Sequence, residues 1–259
     1  MIWTTRPRSE VAGLAAIEAG TGPQVLFLHG VGLRSEAWNS QIDALASRFC
    51  VTALDMPGHG DSPPLSGPMS LTDYADAVLA AIKGPVMVVG HSMGAMIALD
   101  MACRFPDRVR GVVALNAIFE RSAAAALAVQ TRAAALDGQT VGDSSGALNR
   151  WFGDTPSAER TACRDWLCDV DPAGYKMAYT AFASANGPDR GALASLTCPA
   201  LFMTGQLEPN STPQMSQAMA DLTPHGRAVI VEKAAHMMPM THPETVNAAL
   251  LLFAQEVWP

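Results

Sequence analysis

Residues 24–29 (QVLFLH), 50–54 (CVTAL), 85–90 (PVMVVG), 111–115 (GVVAL), 199–204 (PALFMT) and 227–231 (RAVIV) are short, almost uninterrupted apolar runs. A strand buried on both faces must be apolar at nearly every position, whereas a strand with one wet face alternates. The runs therefore predict strands of a mostly parallel sheet. Between them, residues 36–47, 71–82, 93–104 and 212–222 are long enough for helices. Alternation of strand and helix implies βαβ units with right-handed crossovers, hence an α/β sheet flanked by helices. Residues 243–257 open with Pro and Glu and keep apolar residues at helical spacing, which predicts a closing helix.

The rhythm breaks between residues 118 and 196, where no clear buried strand occurs. Residues 121–136 are Ala-rich and helix-prone. A loop with Gly138, Gly142 and Gly146 follows, then Trp151, Phe152, Trp166, Tyr175, Tyr179 and Phe182 spread through further helical stretches. A βαβ crossover needs only a dozen or more residues. The segment is therefore read as a helical cap, 118–196, inserted into a core made of 1–117 and 197–259. Such an insert should fold over the C-terminal ends of the strands, where open α/β sheets bind ligands. Its Ala-rich helices offer few polar anchors, so the expected pocket is small and largely apolar.

The chain has 259 residues, enough to bury a large core without a covalent staple. Hydrophobic residues at 49% against charged residues at 16% exclude a disordered chain. A net charge of −7 and the lack of a basic run speak against nucleic acid or an anionic membrane as partner. Cys50, Cys103, Cys163, Cys168 and Cys198 show no paired CxxC spacing, so no metal site or disulfide framework is expected. The first residues lack a signal-peptide apolar core, and no apolar run reaches the ~18 residues of a membrane span. The expectation is a cytoplasmic protein with a small-molecule partner.

The chemistry is concentrated at Gly90-His91-Ser92-Met93-Gly94, between the run VMVV and the apolar stretch MGAMIALDMAC. G-x-S-x-G between strand and helix is a nucleophile elbow: the turn is too tight for side chains at the glycines, and it thrusts the serine hydroxyl above the sheet. The helix N-terminus beneath it favours developing negative charge.

With this elbow, three further motifs make the sequence resemble the α/β-hydrolase superfamily over nearly the whole chain. His29-Gly30-Val31-Gly32 resembles the family's oxyanion loop. The turn D-M-P-G-H-G-D-S from Asp55 to Ser62 resembles its D-x-P/R-G-x-G-x-S turn. Ala235-His236, followed by Pro243-Glu244, resembles its histidine loop. Within the superfamily, Arg150-Trp151-Phe152 and the stretch D-P-A-G-Y from Asp171 to Tyr175 are similar to hydrolases of the 3-oxoadipate enol-lactonase type.

The resemblance implies a Ser-acid-His order. Ser92 is the candidate nucleophile, and His236, just past the run RAVIV, the candidate base. Glu208, three residues after Gly205, stands where the family usually has Asp; Glu120, after GVVAL, is the rival acid. Asp55 is more simply structural, and His29 a brace for its loop. The oxyanion donors implied are the backbone N–H groups of Val31 and Met93. Leu33, Trp151, Phe152 and Met237 are candidate pocket residues. Arg34 either clamps a substrate carboxylate or is a solvated partner of Glu36.

The expected function is hydrolysis of an ester, lactone or thioester of a small metabolite through an acyl-enzyme, with no cofactor. Other readings are carbon–carbon hydrolysis of ring-cleavage products, a cofactor-free perhydrolase, and a ligand receptor on the same fold. Met237, where carbon–carbon hydrolases usually carry an aromatic residue, counts against the first. Ser92 disfavours dehalogenases and epoxide hydrolases, which use a carboxylate at the elbow.

Overall fold

The computed structural model describes Trp3 and residues 6–259. Its eight strands are β1 (Ser9–Val11), β2 (Leu14–Ala19), β3 (Gln24–Leu28), β4 (Cys50–Leu54), β5 (Val86–His91), β6 (Val109–Leu115), β7 (Ala200–Gly205) and β8 (Gly226–Val231). They form one sheet in the order β1-β2-β4-β3-β5-β6-β7-β8. β3 to β8 run parallel, and β1 and β2 add an antiparallel edge.

The apolar runs are explained by double-sided burial. In β5, Val86 and Val88 enter one core layer while Met87 and Val89 enter the other. β3, β6 and β7 divide in the same way: Leu26, Val112 and Phe202 face one side, and Phe27, Val113 and Met203 the other. α2 (Leu71–Ala80), α3 (Met93–Arg104) and α9 (Pro213–Leu222) cover the first face. α1 (Asn39–Leu45) and α11 (Pro243–Val257) cover the second. Gly111 lets α11 close on β6, since a Cβ there would stand 2.5 Å from Val257 Cγ2.

Three local features depart from the sequence reading. The expected helix over 36–47 is a 3-10 turn at Ser35–Trp38 leading into α1. A short α10 (Met238–Thr241) precedes α11. The hairpin of β1 and β2 was not expected, because LAAIEA is Ala-rich and lacks the β-branched density of a strand. The hairpin turns at Ala12 and Gly13, whose φ values of 51° and 84° suit a two-residue turn of the I′ kind.

Between β6 and β7 lie α4 (Ala123–Ala135), α5 (Ser145–Phe152), α6 (Ala158–Asp169), α7 (Pro172–Ser184) and α8 (Arg190–Ala194). Four of these helices start where a side chain accepts a first-turn amide: Ser122, Ser157, Asp171 and Asp189. The helices seat on loops at the strand C-termini through missing side chains. A Cβ on Gly32 would lie 2.4 Å from Leu167 Cδ2, and one on Gly58 would lie 2.9 Å from Gly174 Cα.

The D-M-P-G turn is tied to the sheet edge by charge. Asp55, with its side chain fully buried, accepts from Ser35 N (2.8 Å), Ser35 Oγ (2.7 Å) and Asp61 N (2.9 Å), and Arg8 Nη1 lies 3.0 Å from its Oδ2. Arg8 Nη2 also binds Glu36 at 2.6 Å. Removing Asp55 leaves the buried Ser35 donors without an acceptor and takes from Arg8 one of its carboxylate partners. Asp55→Ala should therefore lower the free energy of unfolding by about 3 kcal/mol or more. A urea titration checks this, and an unchanged midpoint with an unchanged slope would show that the network contributes nothing.

Candidate active site

Ser92 sits at the turn from β5 to α3 with φ 56° and ψ −115°. A non-glycine residue held there is strained by about 1–3 kcal/mol, so its surroundings must fix it. A Cβ on Gly90 would stand 2.1 Å from Gly94 O, and one on Gly94 would stand 2.2 Å from Leu28 O. Both glycines are therefore required for α3 to approach β5 and β3. Ser92 N donates to Leu115 O at 2.9 Å, which ties the turn to β6. A Cβ on Gly30 would lie 3.1 Å from Ser92 Cβ, so the loop after β3 runs beside the serine.

That loop is held by His29, which is fully buried. Met56 N donates to His29 Nε2 at 2.9 Å, so the proton lies on Nδ1, which donates to Gly30 O at 2.7 Å. Burial lowers the pKa of His29 and keeps the ring neutral, as this arrangement needs. Met93 opens α3, where first-turn amides have no acceptor within the helix. Val31 lines the cavity described below.

His236 lies in the loop after β8. Its Nδ1 donates to Glu208 Oε2 at 2.8 Å. Glu208 is 3% exposed, and its other oxygen accepts from Asn210 N (2.8 Å) and Ser211 N (3.2 Å). Burial alone would raise its pKa, but the imidazole and the two amides overcome that and bring it to about 2. The turn after β7 makes this reach possible. A Cβ on Gly205 would lie 2.5 Å from Ala234 O, so the two loops touch through backbone.

Two buried side chains fix the main chain of His236. His91 Nε2 and Asn116 Nδ2 donate to its carbonyl at 2.8 Å and 2.6 Å. Asn116, at φ 51°, also accepts from Gly205 N at 3.2 Å, and so joins the ends of β6 and β7 to the histidine loop. Burial lowers the His91 pKa to about 3, so this ring is a neutral donor. Trp151 stacks on His236 with centroids 5.4 Å apart and planes at 22°. Asn116 and His91 had no signal in the sequence beyond their places at the end of a strand and inside the elbow.

Ser92, His236, Val31, Leu33 and Trp151 line one cavity of about 610 Å³ beneath α4, α5 and α7. Other predicted residues lie elsewhere. Phe152 and Met237 pack with Leu33, Ala37 and Leu148 in an apolar cluster. Arg34 does not line the cavity; it pairs with Glu36 at 3.0 Å and approaches Asp61 and Asp169. Glu120 is exposed and makes a two-pronged pair with Arg190 at 2.7 and 2.8 Å, rather than a bond to His236.

The lining is largely apolar, as expected, but it also carries three guanidinium groups. Arg121, Arg132 and Arg150 all line the cavity, and none has a carboxylate partner among the described residues. The lining carboxylate of Asp143 is occupied by the amide and hydroxyl of Ser145. Among the described residues no cluster of His, Cys, Asp and Glu could hold a metal ion. Among the described residues no helix is long and apolar enough to cross a membrane.

The Glu208 pKa sets a sign for stability. A carboxyl whose folded pKa falls to about 2 from 4.5 stabilises fully above about pH 4.5 and loses that contribution as pH falls toward 2. Wild type should exceed Glu208→Gln in unfolding free energy at pH 6, with the difference shrinking below pH 4.5. A difference that stays constant from pH 6 to pH 3 would contradict the assignment of the shift.

Residues 25–249 match the alpha/beta hydrolase family. An (E)-2-((N-methylformamido)methylene)succinate hydrolase from Acinetobacter baylyi is 39% identical over 241 residues, covering 90% of each chain. A pimeloyl-[acyl-carrier protein] methyl ester esterase from Neisseria meningitidis is 30% identical over 245 residues, covering 90% of this chain and 94% of that one. A thermophilic esterase from Thermogutta terrifontis superposes with TM-score 0.87, covering 98% of this chain and 100% of the other. At 24% identity this likeness speaks to the fold alone.

Proposed function

Because the chain belongs to the alpha/beta hydrolase family, we propose that it hydrolyses an ester or activated amide of a small, carboxylate-bearing acyl compound. Ser92 is the nucleophile, His236 the base and Glu208 the acid. The observation that carries this reading is the His236–Glu208 bond at 2.8 Å in the wall of the cavity that Ser92 also lines.

With its proton on Nδ1 toward Glu208, neutral His236 presents Nε2 as an acceptor. Nε2 takes the Ser92 hydroxyl proton as Oγ attacks the carbonyl carbon. The carbonyl oxygen gains negative charge and is met by the amides of Val31 and Met93, each worth about 3 kcal/mol in the transition state. His236 then returns the proton to the leaving alcohol or amine. Water, deprotonated by the same nitrogen, attacks the acyl-Ser92 ester and releases acid and free serine. Glu208, with a pKa of about 2, stays ionised at neutral pH and stabilises the imidazolium. His91 and Asn116 keep the histidine main chain still while its ring changes charge.

The substrate class rests on charge and size. Arg132 and Arg150 are exposed guanidinium groups in the cavity lining, without acidic partners among the described residues, so they suit a carboxylate. The Acinetobacter baylyi relative has a succinate in its name, and the Neisseria meningitidis relative a methyl ester. The first supports a small acyl carboxylate derivative, and the second supports hydrolysis of an ester. The cavity volume of about 610 Å³ fits the range for compact ligands.

Ser92→Ala and Glu208→Gln should each lose at least two orders of magnitude in kcat on p-nitrophenyl acetate, and Glu120→Gln less than threefold. A larger loss in Glu120→Gln than in Glu208→Gln would move the acid to the other strand. Along p-nitrophenyl esters from acetate to palmitate, kcat/KM should peak at short chains. A maximum at palmitate with activation at an oil–water interface would mark a lipase instead.

A further inference from the structure

Arg121 differs from the other two arginines of the cavity. It precedes α4 and is only 8% exposed. Its backbone N donates to Asn186 Oδ1 at 2.7 Å, and its Nη1 donates to the Ala185 carbonyl. Its guanidinium lies over the Phe182 ring at 4.5 Å, and Phe182 lines the same cavity. Nη2 is buried and has no acceptor among the described residues, and no carboxylate pairs with the cation. An unpaired guanidinium out of water is costly unless an anion compensates it. One main-chain carbonyl and one ring face supply only part of that compensation. The group is also held in place before any ligand arrives, which lowers the ordering cost of binding.

Resting on the hydrolase reading above, we propose that Arg121 is a second carboxylate-binding group, separate from Arg132 and Arg150, and that the cavity is built for a dicarboxylate. Arg132 donates through Nη1 to the Tyr179 hydroxyl at 2.9 Å. Together with Arg150 it offers one carboxylate an exposed pair of guanidinium groups. Arg121 offers the other carboxylate a desolvated donor on the α4–α7 side. The two environments differ in strength: a charge-assisted bond away from water discriminates more sharply than one at an exposed cation. Arg121 therefore determines specificity, and the exposed pair adds attraction that salt screens.

Succinate and its unactivated monoamide succinamate, titrated calorimetrically into the full chain, test this without turnover. Wild type should bind succinate at least tenfold more tightly than the monoamide. Arg121→Met keeps the aliphatic stem over Phe182; it should weaken succinate at least tenfold and erase the preference for it. A far-UV circular dichroism spectrum that matches wild type shows that the variant is folded. If Arg121→Met binds succinate as wild type does, Arg121 is only a structural clamp on residues 185–186 and the proposal falls. If wild type itself shows no preference for succinate, the proposal falls without recourse to any variant, even one that fails to fold. Loss of the hydrolase reading would appear separately, as p-nitrophenyl acetate activity that survives Ser92→Ala.

Discussion

The close approach of three backbone segments around Ser92 is the constraint on which the rest of the site depends. β5 must end, reverse and enter α3 within a few residues, and α3 must lie against the end of β3. Gly90 and Gly94 permit this because any Cβ there would meet a carbonyl oxygen closer than 2.5 Å. The strained conformation of Ser92 is the consequence, and the bond from its amide to Leu115 holds it on the sheet. Gly30 and His29 then bring the loop after β3 to the same point. The strain is sustained by the core below, where both faces of β5 are closed by apolar side chains.

The second organising element is the join among the ends of β6, β7 and the loop after β8. Asn116 touches Gly205 and His236 at once, and Glu208 reaches the imidazole from the turn that Gly205 allows. Asn116, Glu208 and His236 Nδ1 are all hydrogen-bonded in this join, and the neutral His91 donates to the same carbonyl as Asn116. A histidine so fixed can change charge with little reorganisation around it. Glutamate in place of aspartate costs no reach here, because its second oxygen is anchored by the Asn210 and Ser211 amides.

The parallel core was legible in the sequence because double-sided burial leaves only apolar residues in β3, β5, β6 and β7. The antiparallel hairpin was not, since a half-exposed, Ala-rich strand resembles many other segments. The elbow was legible because its chemistry is local: strand, glycine, serine, glycine, helix. The bond between His236 and Glu208 spans 28 residues, and only the folded loops show which carboxylate reaches the ring. The guanidinium lining was the largest gap. An Ala-rich helix suggested an apolar wall, yet Arg132 stands in it with no Asp or Glu within four residues on either side. That isolation was the available signal, because no carboxylate one helical turn away pairs with it, although its place in the last turn of α4 suits the helix dipole. Arg34 shows the converse: Glu36, two residues on, already accounted for it.

The central claim is that Ser92 forms a covalent acyl intermediate. It is tested most directly by mixing the protein with p-nitrophenyl acetate, quenching within milliseconds, and following p-nitrophenolate release and intact mass together. The account predicts a burst approaching one equivalent per chain whenever deacylation is the slower step, and an acetyl group that peptide mapping places on Ser92. An acetyl adduct on His236 or Cys168 instead, or hydrolysis that survives Ser92→Ala, would contradict it.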